Sequence, residues 1–559
     1  MPVKVSVIVP VYNPGPHIDD CIASILRQSL PNDEYEAIFV DDGSTDGTAD
    51  RLDAIAAQHD NITAIHIPNS GWPGRPRNVG IDAAAGKYVY FVDNDDWITD
   101  EALERLYERA ERNAADIVVG KIVGHGKGKS VPRYQFSRNV DDASLSDGGN
   151  DPPLLGLLSP HKLFRRSLLD DHQIRFPEGR RRLEDHVFVM RAFFLARRMS
   201  IMSDYPCYHW MSRDDATNAS FARADPVVYY RAVRDVLDVI DEHTDPGHAR
   251  DRLYLHWYRS NMLQRMQGKA WADGHDPHVR ATFAEIHRLA LERFGPGVAR
   301  LLPCKFRVQS RALQAGRFDL VTGQAAIEHG MQADVRLTSI EWTDRTLRLS
   351  VSATLTYADG TPIRLVQRGD RIVWQPPAPL ADEPAITEED LDVTSELGRT
   401  KVSLVLRHRD SKVEYDVPAA VQEAARAADD GTLTISPCGL AEIDLATVAV
   451  GSELVTGAWD VFVHVRSCGW SSVRRLGRVG GRPRVGHRTV DPYTTQFGNL
   501  SLKVAEFADP EPVEAAPASP SARRAGGASV ARARLNGLVR RVLPEWSLPW
   551  LRRYYRRRQ

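Results

Sequence analysis

Asp93-Asn94-Asp95-Asp96 sets carboxylates two positions apart directly after the apolar run Tyr88–Val92. Hard divalent cations take oxygen ligands, so the Asp-x-Asp pair of Asp93 and Asp95 suits Mg²⁺ or Mn²⁺ bridging to substrate phosphates. Asp41-Asp42-Gly43-Ser44 follows a second apolar run, Ala37–Val40, and a carboxylate such as Asp42 accepts hydrogen bonds from a base or a ribose. Pro10-Val11-Tyr12-Asn13 closes a first run over residues 5–12, where Tyr12 offers a ring to pack on a base. Between these lies Asn69-Ser70-Gly71-Trp72-Pro73-Gly74-Arg75-Pro76-Arg77-Asn78. Its Gly71 and Gly74 allow close approach, and Arg75 or Arg77 pairs a diphosphate by charge-assisted hydrogen bonds.

Taken singly, an Asp-x-Asp is usually a solvated turn and Asp-Asp-Gly-Ser a helix N-cap. What gives them weight is the elements that carry them. The runs at 5–12, 37–40, 62–67 and 88–92 read as buried strands, and helical spacing fills the gaps between them. Alternating strands and helices imply βαβ units and a mainly parallel sheet. Ligands of such sheets bind outside the carboxyl ends of the strands, which is where all the motifs fall. Further along, a helix is predicted over 99–113, capped by Thr99, and another over 183–199. The stretch 124–152, rich in Gly, Ser and Asp, reads as a long loop. Residues 225–322 are helical and polar. From 333 to 505 period-two runs take over, clearest in Leu347, Leu349, Val351, Ala353 and Leu355, and imply an all-β, sandwich-like region.

The chain has 559 residues, 42% hydrophobic and 26% charged, an ordinary globular profile that excludes disordered, collagenous and disulfide-scaffold classes. No apolar run approaches the ~18 residues of a membrane span. The N-terminus reads as a buried strand, not a leader. Five scattered cysteines without metal-ligand spacing fit a reducing cytoplasm. The net charge of −2 conceals an asymmetry: residues 523–559 hold 11 arginines against Glu545 alone, +10, leaving −12 on the rest. Residues 508–528 carry Pro510, Pro512, Pro517 and Pro520 and read as a linker. After it, 529–559 mixes Trp546, Trp550, Tyr554 and Tyr555 with arginines, a pattern that fits an anionic membrane surface better than nucleic acid, of which nothing in the acidic body gives a sign.

Together, Val9-Pro10-Val11-Tyr12-Asn13, Val40-Asp41-Asp42-Gly43-Ser44-Thr45-Asp46, Arg77-Asn78-Val79-Gly80-Ile81 and Phe91-Val92-Asp93-Asn94-Asp95-Asp96 resemble family 2 glycosyltransferases over about residues 3–222. The resemblance implies a GT-A fold, a nucleotide-diphospho-sugar donor, a divalent metal (Mn²⁺ or Mg²⁺) and inversion at the anomeric centre. It implies that Pro10, Tyr12, Asp41, Asp42, Asn69, Arg75, Arg77, Asp93, Asn94 and Arg213 meet the nucleotide sugar, with Asp93 and Asp95 on the metal. Leu183-Glu184-Asp185-His186 matches the family's base motif, which gives Asp185 the role of general base. One carboxylate suffices to take the acceptor proton during in-line attack. The Tyr208-His209-Trp210-Met211-Ser212-Arg213 segment is implied to close over the diphosphate or acceptor.

The layout, with 1–222 catalytic, 223–325 a helical linker and 326–507 β, is similar to the poly(ribitol-phosphate) N-acetylglucosaminyltransferases of wall teichoic acid. That resemblance implies a UDP-sugar donor, UDP-N-acetylhexosamine or another UDP-sugar, a polymeric or lipid-linked teichoic-acid-like acceptor, and a homo-oligomer through the β region. The expected place is cytoplasmic, on the inner face of the membrane. Capsule or exopolysaccharide assembly is the rival substrate class, and an inactive polymer-binding scaffold the rival from outside the enzymes. Processive membrane synthases are disfavoured, since Gln-x-x-Arg-Trp is absent after Asp185.

Overall fold

The β-branched runs at the N-terminus become the strands of one sheet because their residues are buried on both faces. β1 (Val5–Val11) lies between β2 (Tyr35–Asp41) and β4 (Tyr88–Phe91), with β3 (Ile62–His66) outside β2, all parallel. Val5, Val7, Val9 and Val11 point into one core and Ile8 into the other, as a strand covered on both faces requires. Helices α1 (Ile18–Leu26), α2 (Thr48–Ala56) and α3 (Gly74–Ala83) make the crossovers. α3 lies so close on β1 that a Cβ at Gly80 would sit 2.3 Å from Ile8 Cγ2. Val11 pairs with Asp41, so Tyr12 and Asp42 leave the sheet at one level. The computed structural model describes residues 2–126, 136–146, 153–212, 223–343, 345–477, 484–485 and 488–506. The linker 508–528 and the segment 529–559 lie outside the described residues.

Beyond β4 the sheet is mixed, which corrects the expectation of a mainly parallel one. Its further elements are β5 (Trp97–Ile98), α4 (Ala102–Arg112), β6 (Ile117–His125), β7 (Val140–Ala143), β8 (Leu163–Arg165), α5 (Arg166–Asp171), α6 (Glu184–Leu195) and β9 (Met199–Met211). The order is β3-β2-β1-β4-β8-β6-β9-β5, with β7 on β9. β8 runs antiparallel to β4 and β6, β5 and β7 antiparallel to β9, and only β6 and β9 are parallel. Three local expectations change as well. β7 falls inside the stretch read as a long loop. α6 ends at Leu195 and Met199 opens a strand, because a short apolar run reads alike in either state. Thr99 does not cap α4: Glu101 holds that position, and the Thr99 hydroxyl donates to the Pro206 carbonyl at 2.6 Å, tying β5 to β9.

The helical segment opens at α7 (Pro226–His243), where the Asp225 carboxylate accepts from the Val227 and Val228 amides and Pro226 takes the first helical position. It continues through helices Cys304–Gln314 and Phe318–Glu328. β10 (Gln332–Thr343) and β11 (Thr346–Thr356) then begin a twelve-stranded network whose strand pairs are antiparallel. Leu347, Leu349, Val351, Ala353 and Leu355 are all buried, as their alternation requires. One apolar core runs from Ile8 through Trp257 to Trp459 and Val504. Lys121 Nζ, on β6, sits 3.8 Å from the ring centroid of Tyr415 in the β region, a cation–π contact between the first sheet and the last region. Among the described residues no helix is long and apolar enough to cross a membrane, and all five cysteines are free.

Candidate active site

The loops at the carboxyl edge are knitted to one another before any ligand arrives. Asn13 adopts a left-handed backbone (φ 43°), its amide donates to Ser44 Oγ at 3.0 Å, and its side-chain oxygen accepts from the Thr45 amide at 2.7 Å. Tyr12 beside it is 50% exposed, an open ring at the mouth of the sheet, while Pro10 is enclosed in β1. Asp41 is buried and spends its oxygens on the Ser44 amide (3.0 Å) and His66 Nδ1 (3.1 Å), so it holds the β2 turn in shape. Asp42 accepts from the amide and hydroxyl of Ser70 at 2.8 and 2.9 Å, and its carbonyl accepts from Asn69 Nδ2 at 2.8 Å. Asn69 and Asp42 thus pin the loop that leads into α3. In that loop Gly71 has φ +79°, and a Cβ at Gly74 would lie 2.5 Å from the Pro177 carbonyl oxygen. The two glycines serve different needs, one conformational and one steric.

Arg75 and Arg77, expected in a loop, lie at the start of α3 and part company. Arg75 is exposed, whereas Arg77 is buried. Its Nη2 donates to Asp93 Oδ1 at 2.8 Å and its Nη1 to Glu184 Oε1 at 3.3 Å. The expectation that either arginine is a spare cation for a diphosphate is therefore corrected for Arg77, whose charge is already met by two carboxylates.

Asp93 also faces His161 Nε2 at 3.2 Å, and its amide donates to the Tyr208 hydroxyl at 3.2 Å. Burial raises the Asp93 pKa, but Arg77 and His161 outweigh it and hold this carboxyl well below the usual range. Asp96 behaves oppositely. It is enclosed, accepts from the Tyr208 hydroxyl at 2.5 Å and the Met211 amide at 2.7 Å, and is pushed up by burial and by the charges of Asp95 and Asp93. Asn94 and Asp95, between them, are half-buried. Oxygens of Asp93 and Asp96 and a ring nitrogen of His161 lie within 4.8 Å of one another. Carboxylates grouped in this way fit a hard divalent cation in ligand type. His161 stacks on Tyr208 with ring centroids 4.0 Å apart. His161, Asp96, Tyr208 and Glu184 were not singled out from the sequence as site residues. Asp96 carried a signal as the next acid in the run, and Glu184 and Tyr208 stood inside quoted motifs without a role of their own, whereas His161 carried none.

Leu183, in a left-handed conformation (φ 58°), turns the chain into α6, so Glu184 and Asp185 occupy its first turn. Asp185 Oδ1 accepts from the His186 amide at 2.9 Å. Burial raises the Asp185 pKa, partly offset by Arg77 and by that amide. Glu184 is raised too, by burial and then by Asp185, despite its Arg77 contact. Nearby, Lys162 is wholly enclosed on β8's approach, its ammonium donating to the Ser159 carbonyl, and burial brings its pKa down to about 7. His209 is set in a stack: its ring is 5.0 Å from Trp97, and it exchanges hydrogen bonds with His125 and Thr99, each at 2.9 Å. It lies within β9, paired with β5 at Trp97 on one side and with β6 at Val123 on the other. Arg213 lies outside the described residues.

This geometry has known counterparts. The sequence profile of Glycosyl transferase family 2 matches residues 6–173, that of the glycosyl transferase TarS linker domain 226–325, and that of TarS beta-glycosyltransferase C-terminal domain 1 391–504. The chain is 31% identical over 271 residues to the poly(ribitol-phosphate) beta-N-acetylglucosaminyltransferase TarP of Staphylococcus aureus, covering 46% of this chain and 81% of that protein. The chain belongs to the family 2 glycosyltransferases. It is also 38% identical over 238 residues to a poly(ribitol-phosphate) beta-glucosyltransferase of Bacillus spizizenii, which covers 42% of this chain and only 37% of that relative's length. A crystal structure of S. aureus TarS residues 1–349 with UDP-GlcNAc superimposes with a TM-score of 0.52 at 25% identity, covering 64% of this chain and 98% of that one. The three-part order found here, a GT-A domain, a helical segment and a sheet-rich region, is the order of the three matched profiles.

Proposed function

We propose that this chain is an inverting glycosyltransferase that moves a sugar, an N-acetylhexosamine, from a UDP donor to a teichoic-acid-like polymer of the cell envelope. The observation that carries the reading is Asp185, a half-buried carboxylate of raised pKa at the start of α6, joined through Glu184 and Arg77 to the acidic segment after β4. Tyr12 and Asp42 are assigned to the base and ribose, with Pro10, Asp41 and Asn69 shaping that pocket. Arg75 and Arg213 are assigned to the diphosphate, and Asp93, Asn94 and Asp95 to the donor phosphates and the cation. Mn²⁺ or Mg²⁺ bound there would act as a Lewis acid for the departing diphosphate.

Asp185 takes the proton from the acceptor hydroxyl as its oxygen bonds to the anomeric carbon. The bond from that carbon to the UDP oxygen breaks on the opposite face, and UDP leaves with the electron pair. The first-turn position favours the ionised form of Asp185 through the helix dipole. The domain limits follow the same reading, with 1–222 catalytic, 223–325 linking, 326–507 a β region suited to polymer or subunit contacts, 508–528 a spacer and 529–559 an anchor to the inner membrane face. A test is UDP release across nucleotide sugars with a ribitol-phosphate polymer as acceptor, with and without Mn²⁺. Release from UDP-N-acetylhexosamine that depends on acceptor and on Asp185 supports the proposal. Release only with a capsule-type acceptor favours the rival substrate, and none with any donor favours the scaffold.

A further inference from the structure

A cavity of about 230 Å³ opens where the helical segment meets the β region. It is lined from one side by Gln267, Lys305 and Glu328 and from the other by Leu355 and Trp470. It shares no lining residue with the carboxyl edge of the first sheet. Its size lies below the ~300 Å³ of pockets for drug-sized ligands and far above the ~10–15 Å³ that one water needs, so its natural occupant is one small unit. Gly268 and His329 on its rim are exposed, while Lys305 and Trp470 are buried, the latter at 2% exposure.

The polar atoms around it are short of partners. Trp470 Nε1 and Gln267 Nε2 are enclosed donors without a hydrogen bond. Glu328 Oε2 lies 3.0 Å from Lys305 Nζ and Glu328 Oε1 accepts from Gln324 Nε2 at 3.1 Å, so this carboxylate is partnered and the pair's charges offset each other. Buried polar groups are as a rule satisfied, by protein, water or ligand. Two unpartnered donors on a lining whose ion pair is charge-balanced, and whose carboxylate retains lone pairs, match neutral groups that accept and can also donate. A hydroxyl does both, whereas a phosphate only accepts and would meet no surplus cation here. Leu355 and the body of Trp470 supply an apolar wall for carbon-bound hydrogens.

We infer that this junction is a binding site for a neutral polyhydroxylated unit, a sugar ring or an open-chain alditol, separate from the catalytic site. The same chemistry could come from free sugar or from one unit of a polymer. The test uses the full chain without donor or metal, titrated by calorimetry and ligand-observed NMR with ribitol, N-acetylglucosamine and a ribitol-phosphate oligomer. The variants are Trp470→Phe, which keeps the ring and removes the donor, and Gln267→Ala. The expected result is saturable binding of ribitol or N-acetylglucosamine that weakens about tenfold or is lost in both variants, as removal of one hydrogen bond to an enclosed group implies. An oligomer that shares this sensitivity assigns the site to the polymer, and a response to monomers alone assigns it to free sugar. Failure of all probes to bind, or binding that both variants leave unchanged, overturns the inference and leaves water as the partner of these atoms. UDP binding, measured on the same samples, should not change, so loss of this site and loss of the catalytic reading are told apart.

Discussion

Arg77 Nη2 donates to Asp93 Oδ1 at 2.8 Å, which fastens the first half of α3 to the acidic segment after β4. Through its other terminal nitrogen the same guanidinium reaches Glu184, the neighbour of Asp185 on α6. A planar fork suits this task, since two donors leave one centre in fixed directions. A single side chain thus ties Asp93, assigned to the donor side, to Glu184, the chain neighbour of the residue assigned to the acceptor proton.

Arg77→Ala should therefore act on the fold before it acts on the chemistry. It leaves Asp93 and Glu184 without their shared partner in an enclosed site, and removing one member of a buried charge pair typically destabilises by about 3–5 kcal/mol. Calorimetric melting checks this. Arg77→Lys keeps the charge but not the fork, so it should melt closer to wild type and still lose transfer. An unchanged melting temperature in Arg77→Ala would mean that the bridge contributes nothing.

Asp185→Asn removes a proton acceptor and little else, since the Asn oxygen can still take the His186 amide. General-base catalysis is worth ~10²–10⁴-fold, so kcat should fall by that order while UDP affinity holds. Near-normal turnover would place the base on another residue.

The pH dependence follows from burial. Asp185 is raised from its ordinary value because desolvation disfavours its charge, with Arg77 and the His186 amide pulling the other way. The base works only when ionised, so kcat/KM should fall as pH drops through this raised pKa, with a midpoint above the ~3.9 of a free aspartate. Stability has the opposite sign. A carboxyl whose folded pKa is raised favours the folded state below its unfolded pKa, and that contribution is lost as pH rises through the folded value. Asp185→Asn should thus melt at or above wild type at pH 7, with the gap closing toward pH 4. A destabilised variant at pH 7 would contradict the direction of the shift.

The ends of β1, β2 and β4, with Tyr12, Asp42 and Asp93, were legible because buried parallel strands write themselves as unbroken β-branched runs. The period-two run of β11 was legible for the complementary reason, one face in and one out. His161 was not. It sits alone between Pro160 and Lys162, and what makes it part of the site is a contact to Asp93 across 68 residues of chain. It is carried by the approach to β8, a three-residue strand too short to show a period. The engagement of Arg77 was hidden in the same way, since an arginine near the start of a helix looks equally available whether or not two carboxylates from other elements meet it. The antiparallel return of β8 between β4 and β6 is a property of pairing, and no local pattern encodes it.

Metal dependence can be read from binding alone. UDP should bind more tightly with Mn²⁺ than without, because the cation offsets phosphate charge beside Asp93 and Asp95. In Asp95→Ala the metal-dependent gain should shrink or vanish. Calorimetry that finds equal UDP affinity with and without Mn²⁺, in both proteins, would remove the cation from the proposal.

Deleting residues 523–559 tests the proposed anchor. The residues assigned to donor, metal and proton transfer all precede residue 222, and the Pro-bearing stretch 508–528 separates them from the basic segment. Transfer to a small acceptor should therefore survive the deletion. Vesicle binding should not, since the deletion removes +10 of charge together with Trp546, Trp550, Tyr554 and Tyr555. Each basic residue near an anionic surface contributes ~1 kcal/mol, and that attraction fades as salt rises, with screening shortened to ~3 Å at 1 M. Co-sedimentation with phosphatidylglycerol vesicles at low and high salt reads both effects. Equal pelleting of the full and shortened chains at low salt would show that the anchor lies elsewhere, and loss of the soluble reaction would show that the segment supports the fold.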